Sequence, residues 1–545
     1  MGFAQSHPIG SGYSEGDVII RMLDTANPKW PESKSFSDVG FGPPPAKWNG
    51  TSTSSVHDSM TSGIMPILST ISNHQGTHGS HTASTVTGHE VQNASYYGLA
   101  EGVARGGVPN ARIAMYKVCW SSGCTATDIL AAFDDATADG VNIISISVGS
   151  LFPTPYHKET ISIRSFHAMR SVILTSCSAG NNRPYRREIS NYFPWALTVA
   201  ASTIDRRFVT KVALENGQTF LAASLNNFNL DGTTFPLVYS GDAGNVTFGV
   251  GPDVARPLLT WNSKHHQSQM RNCLCSMMDQ QLYGLGQWAL LCLLQIMRQV
   301  DYYIISGTSM SHATGAAANV KAAHPTWSPA AIKSVLMTRA TIMDPSKNDH
   351  AEFAYRSGHI NPLKAVDPGL VFDATEADYV DFLCNTTLVR LVSGDSSTCP
   401  SNKPGKAWDL NYASYALSLL DREKIKASYP RTVTNVGSPN STYYSEVSMP
   451  PPFTIIVEPT ILTFSEVGEK KSFTVKVNGA PLVQVPIVLG SIERTDGNHT
   501  VRSPIVVFNN IPSIFAAVGD YPQRKNSHSW HGVTIYHQNG ILQGN

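Results

Sequence analysis

Short apolar runs rich in Ile and Val alternate with longer amphipathic segments over the first 200 residues. The runs are "DVIIRML" from Asp17, "ARIAMYKVC" from Ala111, "VNIISISVG" from Val141, "SVILTSCSAG" from Ser171 and "WALTVAAS" from Trp195. Each has the length and composition of a strand buried on both faces. Between them, "DILAAFDDATADG" has helical spacing: Ile129, Phe133 and Ala136 share a face, Asp128 is placed to cap it and Gly140 to stop it. Strands alternating with helices predict βαβ units and a mostly parallel sheet covered on both faces. From Ser309 to about Ala340 the pattern predicts two helices. Pro325 ends the first, and Ser328 with Pro329 opens the second. From about Asn411 the period becomes two. "FTIIVEP", "KKSFTVKVNG" and "SPIVVFN", separated by Pro/Gly turns, predict a small β-sandwich.

The segments 241–300 and 513–545 carry neither period. The chain therefore divides into an α/β part over 1–240, an irregular insert over 241–300, a second α/β part over 301–372, a linker over 373–408, a sandwich over 409–512 and a patternless tail over 513–545.

Composition narrows the function classes. The chain has 545 residues, 41% of them hydrophobic, and 40 basic residues balance 40 acidic ones. No basic field favours nucleic acid. The longest apolar run, "WALLCLLQIM" from Trp288, is too short to span a bilayer. Cys119 and Cys124 flank a short turn, and Cys384 and Cys399 bracket a polar loop. Either pair suits a disulfide, with reduced thiols as the alternative. Sequons at Asn49, Asn93, Asn245, Asn385, Asn440 and Asn498 point to the secretory pathway, although the chain opens without a basic and apolar leader.

Reactive side chains fall at element ends. Asp24 follows the first strand, His78 lies in "GTHGSHTAS" at a helix start, and Ser309 lies in "SGTSM" before an Ala/Gly-rich helix. A serine hydroxyl needs a base to take its proton. Imidazole serves near neutral pH, and a buried carboxylate fixes its tautomer. Asn181, in "SAGNN" after another strand, is placed to donate to an oxyanion beside the backbone N–H of Ser309, with the following helix adding its dipole. Each motif alone has a plainer reading: a Gly-Thr-Ser turn is commonly a helix cap, and a lone Asp at a strand end is commonly a turn residue. His74, His78 and His81 have helical spacing, but no Cys or acidic residue nearby completes a metal site, so neither metal nor cofactor is expected.

Taken together, "VIIRMLDT", "HGSHTAST", "ARIAMYKVCW", "ADGVNIISISVG", "SAGNN" and "IISGTSM" resemble the plant subtilisin-like serine proteases of the cucumisin-like group. The resemblance covers most of 1–240 and 300–512. It implies a secreted endopeptidase with Asp24, His78 and Ser309 as triad and Asn181 as oxyanion donor. It also implies that Ser147, Val148 and Gly149 form the strand that binds peptide substrate, and that the sandwich is fibronectin type III-like.

The chain departs from that family pattern in several places. The family nucleophile segment continues after SGTSM with a small residue and then Cys-Pro-His, whereas here Ser311 runs straight into His312, two residues short. A slip of two residues rotates a helix face by about 200°, so the first turn either reshapes or mis-aims Ser309. Ala26, Thr77 and Arg183 stand where the family has glycine. Segments the family carries between 241 and 300 are not found. The expectation is a truncated or altered secreted protease, with a catalytically silent binding protein as the alternative.

Overall fold

Residue parity along one strand fixes the architecture. In β1 (Ile19–Asp24), Ile19 and Leu23 point into one core, while Ile20 and Met22 point into another. A strand buried this way needs helices on both faces. The computed structural model describes residues 15–25, 33–50, 78–223, 302–419 and 425–509, with breaks at 97, 121–122, 151–153, 182–188, 203–207, 214–215, 303, 312, 348–351, 385–388, 395–398, 400–405 and 482–486, together with the pairs 276–277 and 290–291. Ala26, Thr77, Arg183, nearly all of the irregular insert and the tail lie outside the described residues.

Five strands form the first sheet: β1, β2 (Arg112–Lys117), β3 (Ile143–Ile146), β4 (Leu174–Ser178) and β5 (Leu197–Val199). Their order is 2-1-3-4-5 and every pairing is parallel. The predicted α/β class is therefore observed. On one face, α2 (Ala126–Ala138) and α3 (Thr160–Arg170) bring Ile129, Phe133 and Phe166 onto Ile19, Leu23 and Ile146. On the other, α1 (His78–Thr87), α4 (Thr314–Ala323) and α5 (Pro329–Thr338) bring Ala83, Val86, Ala317 and Val335 onto Ile20, Met22 and Leu174. In this order the chain reverses direction between β1 and β3, and such a switch point opens a crevice at the carboxyl ends of the strands.

Two local expectations change. Asp128 is not the cap of α2. Thr125 is: its hydroxyl accepts from the Asp128 N–H at 3.1 Å and donates to the Asp128 carboxylate at 2.8 Å. A hydroxyl one turn earlier reaches the free N–H while the acid serves the positive helix end. The first nucleophile-side helix begins not at Ser309 but at Thr314, with Ser309 and its neighbours in turns. Ser328 and Pro329 open α5 as the sequence predicts.

The segment read as a linker carries two helices, α6 (Glu376–Cys384) and α7 (Val389–Ser393). Their Tyr379, Leu383, Val389 and Val392 are buried in the same core as Phe166 and Trp195. Polar residues between these short helices hide their apolar faces from a periodicity reading. Both cysteine pairs are joined, Cys119–Cys124 and Cys384–Cys399.

The sandwich packs two sheets around Tyr429, Val433, Phe464, Phe473, Val475 and Val507. One sheet runs β6 (Leu370–Val371), β8 (Ile425–Asn435), β12 (Lys470–Gly479), β10 (Phe453–Glu458). The other runs β7 (Tyr415–Leu419), β14 (Thr500–Asn509), β13 (Ile487–Thr495), β9 (Ser441–Ser448), β11 (Ile461–Phe464). β6 lies before the predicted sandwich boundary yet pairs with β8, so the α/β part lends an edge strand to the sandwich. His499 seals this junction, with Nδ1 on Asp496 at 2.9 Å and Nε2 on Asp367 at 3.1 Å.

Candidate active site

The crevice at the switch point collects the candidate residues by topology. Asp24 is the last residue of β1, Ser147–Gly149 leave the end of β3, and Asn181 lies three residues past the end of β4. Parallel strands deliver their carboxyl ends to one edge, so segments more than 100 residues apart in sequence become neighbours there.

Asp24 is fully buried, and both carboxylate oxygens are occupied. Oδ1 accepts from the Thr25 N–H at 2.6 Å, the Thr25 hydroxyl at 3.1 Å and His78 Nδ1 at 2.6 Å. Oδ2 accepts from the Thr82 hydroxyl at 2.9 Å. Burial pushes the carboxyl pKa upward, but the His78 contact and the donors from Thr25 and Thr82 outweigh it and hold it below the ordinary carboxylate value. The carboxylate therefore stays ionised and can only accept, so His78 carries its hydrogen on Nδ1 and keeps the Nε2 lone pair free in the neutral ring. His78 opens α1, and its ring is about a quarter exposed. A base poised this way can take a proton from an incoming group.

Ser309 occupies a turn closed by the Met310 N–H donating to Gly307 O at 3.2 Å. The turn is anchored from across the crevice. Asn181 Oδ1 accepts from the Thr308 N–H at 2.9 Å and the Thr308 hydroxyl at 3.0 Å. These two donors fix which end of the amide is oxygen. Asn181 Nδ2 is left on the Gly307 side, 3.3 Å from where a Cβ on Gly307 would stand. Ser309 is buried while Asn181 is exposed. Among the described residues no hydrogen bond joins Ser309 to His78.

The segment that the family resemblance marks as two residues short follows Met310. Met310 and Ser311 lie in turns, and Ala313, the residue before α4, has no side-chain cap bond. Thr314 donates to Ser145 on β3 at 3.0 Å, and Gly315 approaches Gly107 so closely that a Cβ would stand 3.2 Å from its Cα. The body of α4 is thus held on the sheet, and the residues from Ser309 to Ser311 lie in turns before it. The helix end predicted behind Ser309 therefore lies five residues further on, beyond the reach of its dipole, which acts within the first turn.

Ser147, Val148 and Gly149 follow directly on β3, outside any helix or strand. Asn191 holds them. It is buried, has φ of 55°, and donates through Nδ2 to both Val148 O and Ser178 O at 2.9 Å. One amide thus bridges β3 and β4 past the end of their ladder. Thr82, Thr308 and Asn191 were not found by sequence reasoning. Thr82 carried a signal, since it lies four residues after His78 on one helix face; the other two carried none. Among the described residues no group of His, Cys, Asp and Glu could hold a metal ion, and no helix is long and apolar enough to cross a membrane.

With this geometry in hand, comparison with known proteins is direct. Residues 68–358 match the subtilase family, and 409–507 match a fibronectin type-III domain. The chain is 37% identical over 608 aligned positions to subtilisin-like protease SBT4.3 of Arabidopsis thaliana, spanning 91% of this chain and 82% of the relative. It is 38% identical over 561 positions to subtilisin-like protease SBT4.10 of the same plant, spanning 92% and 80%. The first alignment is longer than this chain of 545 residues, so that relative carries residues opposite gaps here. The chain belongs to the subtilase family, as a subtilisin-like serine protease with a C-terminal fibronectin type-III domain.

Proposed function

We propose that this chain is a serine endopeptidase whose Asp24, His78 and Ser309 act as a triad. Ser309 Oγ attacks the peptide carbonyl while His78 Nε2 takes its proton. His78 then returns the proton to the leaving amine, and water hydrolyses the acyl-enzyme by the same route. Asp24 keeps the imidazole in one tautomer and stabilises the imidazolium. Asn181 Nδ2 and the Ser309 N–H bind the oxyanion. Ser147, Val148 and Gly149 receive the substrate backbone as an added strand. No cofactor enters the sequence of steps. The observation that carries the reading is the 2.6 Å contact from His78 to a fully buried, ionised Asp24 at the switch-point crevice, with Asn181 gripping the residue before Ser309 on its other side.

The same reading places the mature protein outside the cell, in the wall space. Two closed disulfides support that, as do four sequon asparagines, Asn49, Asn93, Asn440 and Asn498, that lie exposed.

Fluorophosphonate labelling of the full chain, with Ser309→Ala as control, tests the proposal. Label confined to Ser309 is the expected result. One observation favours a silent binding protein instead: among the described residues no hydrogen bond joins His78 to Ser309, and the helix after Ser309 starts only at Thr314. Catalytic contacts often tighten only when substrate binds. On the binding-protein reading, folded protein stays unlabelled, and inserting two residues after Met310 changes nothing. If the shortening is the defect, that insertion raises the labelling rate by up to about 100-fold, the scale of a 1 Å error in placement.

A further inference from the structure

The Asp24 carboxylate shows an asymmetry that the triad alone does not explain. Three donors converge on Oδ1, whereas among the described residues Oδ2 has one, the Thr82 hydroxyl at 2.9 Å. Thr82 and His78 are four residues apart on α1, so they stand one above the other on the same face. That face grips the carboxylate at two points, one side chain on each oxygen. Thr82 is itself buried, and its hydroxyl has a second acceptor within its own helix, Gly79 O at 3.1 Å. A threonine in a helix commonly bonds only to such a carbonyl. Here one hydroxyl hydrogen lies between the carbonyl and Asp24.

We propose that Thr82 is a positioning residue for the reaction, locking the Asp24 carboxyl against rotation so that Oδ1 stays on His78 Nδ1. The inference rests on the assignment of Asp24 and His78 to the triad. Rotation about the Cβ–Cγ bond of an aspartate is soft, with broad two-fold wells. Without a donor on Oδ2, that oxygen would be a buried, charged and unpaired acceptor, and the carboxyl would turn to share its other donors. Such a turn would move Oδ1 off the imidazole and loosen its tautomer. The depressed Asp24 pKa agrees, because a donor to the ionised form lowers it, and Thr82 is one of those donors. Because both grips belong to one helix, the backbone of α1 sets their separation.

The test compares Thr82→Ala with Thr82→Ser, which differ only by the hydroxyl oxygen, in the full chain. The first readout is the low-field Nδ1–H proton of His78 in protein labelled with 15N-histidine, assigned by its absence in His78→Gln. The second is the rate of Ser309 labelling. Thr82→Ala should shift or broaden the proton and slow labelling about 10- to 100-fold, the scale of one hydrogen bond to a charged group. Thr82→Ser should restore both. An unchanged proton in Thr82→Ala overturns the proposal, even if the rate falls, because a rate loss alone belongs to altered helix packing. If Thr82→Ala does not fold, Thr82→Val supplies the same comparison with the shape kept. If the parent chain never labels, the triad reading of Ser309 has failed, and the proton still decides the role of Thr82.

Discussion

The two sides of the crevice are built by different means. On the β1/α1 side, Asp24 ends a fully buried strand, His78 and Thr82 share a helix face, and hydrogen bonds fill both carboxylate oxygens. On the other side, Ser309 sits in a turn, and the described anchor is the pair of bonds from Thr308 to Asn181, 127 residues away in sequence. The first side draws its accuracy from regular elements whose spacing the backbone sets. The second draws it from one long-range contact. A shortening on the second side would fall on a turn, which can reshape while α4 keeps its packing. The same loss inside α1 would rotate Thr82 away from Asp24 by about 200°.

The proposed triad makes this contrast measurable. Asp24→Asn strikes the regular side. It keeps the shape but removes the anion and the tautomer control, and should lower the rate of Ser309 labelling about 10⁴-fold. A loss near tenfold would mean that the buried cluster is structural. Asn181→Ala strikes the turn side in two ways, deleting the proposed oxyanion donor and releasing Thr308. The expected loss in kcat is about 10²- to 10³-fold. Kinetics on a peptide substrate should show KM little altered, because the donor acts on charge that develops in the transition state. A pure KM effect would assign Asn181 to substrate binding instead.

The smallest effect concerns stability and lies away from both sides. At the junction of the α/β part and the sandwich, burial alone would lower the His499 pKa, but hydrogen bonds and charge from Asp496 and Asp367 outweigh it and raise the value above the ordinary 6.5. Arg339 and the Tyr443 hydroxyl also face these carboxylates. A raised pKa in the folded state means that the His499 contribution is complete below about pH 6.5 and fades as pH climbs through the higher folded value. Asp24 acts in the opposite sense. Its contribution is complete above about pH 3.8 and fades as pH falls through its lower folded value. Melting temperature followed against pH should therefore fall at both ends, and His499→Gln should remove the alkaline decline only. A variant that melts lower by the same amount at every pH would show that His499 contributes packing and no charge.

Much of the fold was legible because burial leaves a mark on sequence. The five apolar runs became the five strands, and the change to period two announced the sandwich. Ser328 with Pro329 opened α5 as read, since a cap is a local interaction. What escaped was short or borrowed. The helices α6 and α7 are too brief to show a period, yet they close a core around Trp195. The strand β6 has only two residues, and it belongs to a sheet whose other members lie more than 50 residues downstream. Asp128 was misread as a cap because Thr125 and Asp128 are both good candidates, and only the geometry shows which hydroxyl accepts the N–H.

The candidate site divides in the same way. Residue type and chain order alone marked Asp24, His78, Asn181 and Ser309, since an acid, a base, an amide and a hydroxyl at element ends are the parts that acyl transfer needs. By family resemblance the segment after Met310 was expected to be two residues short. The resemblance did not show how that segment would lead into α4. The close packing of Gly315 on Gly107 and the bond from Thr314 to Ser145 hold α4 on the sheet behind the turn that carries Ser309. Nor did the sequence show that Thr82 and Asn191 would close on Asp24 and Val148. Such contacts join residues that come together only when separate strands end at one edge of one sheet, and that meeting is a property of the folded sheet.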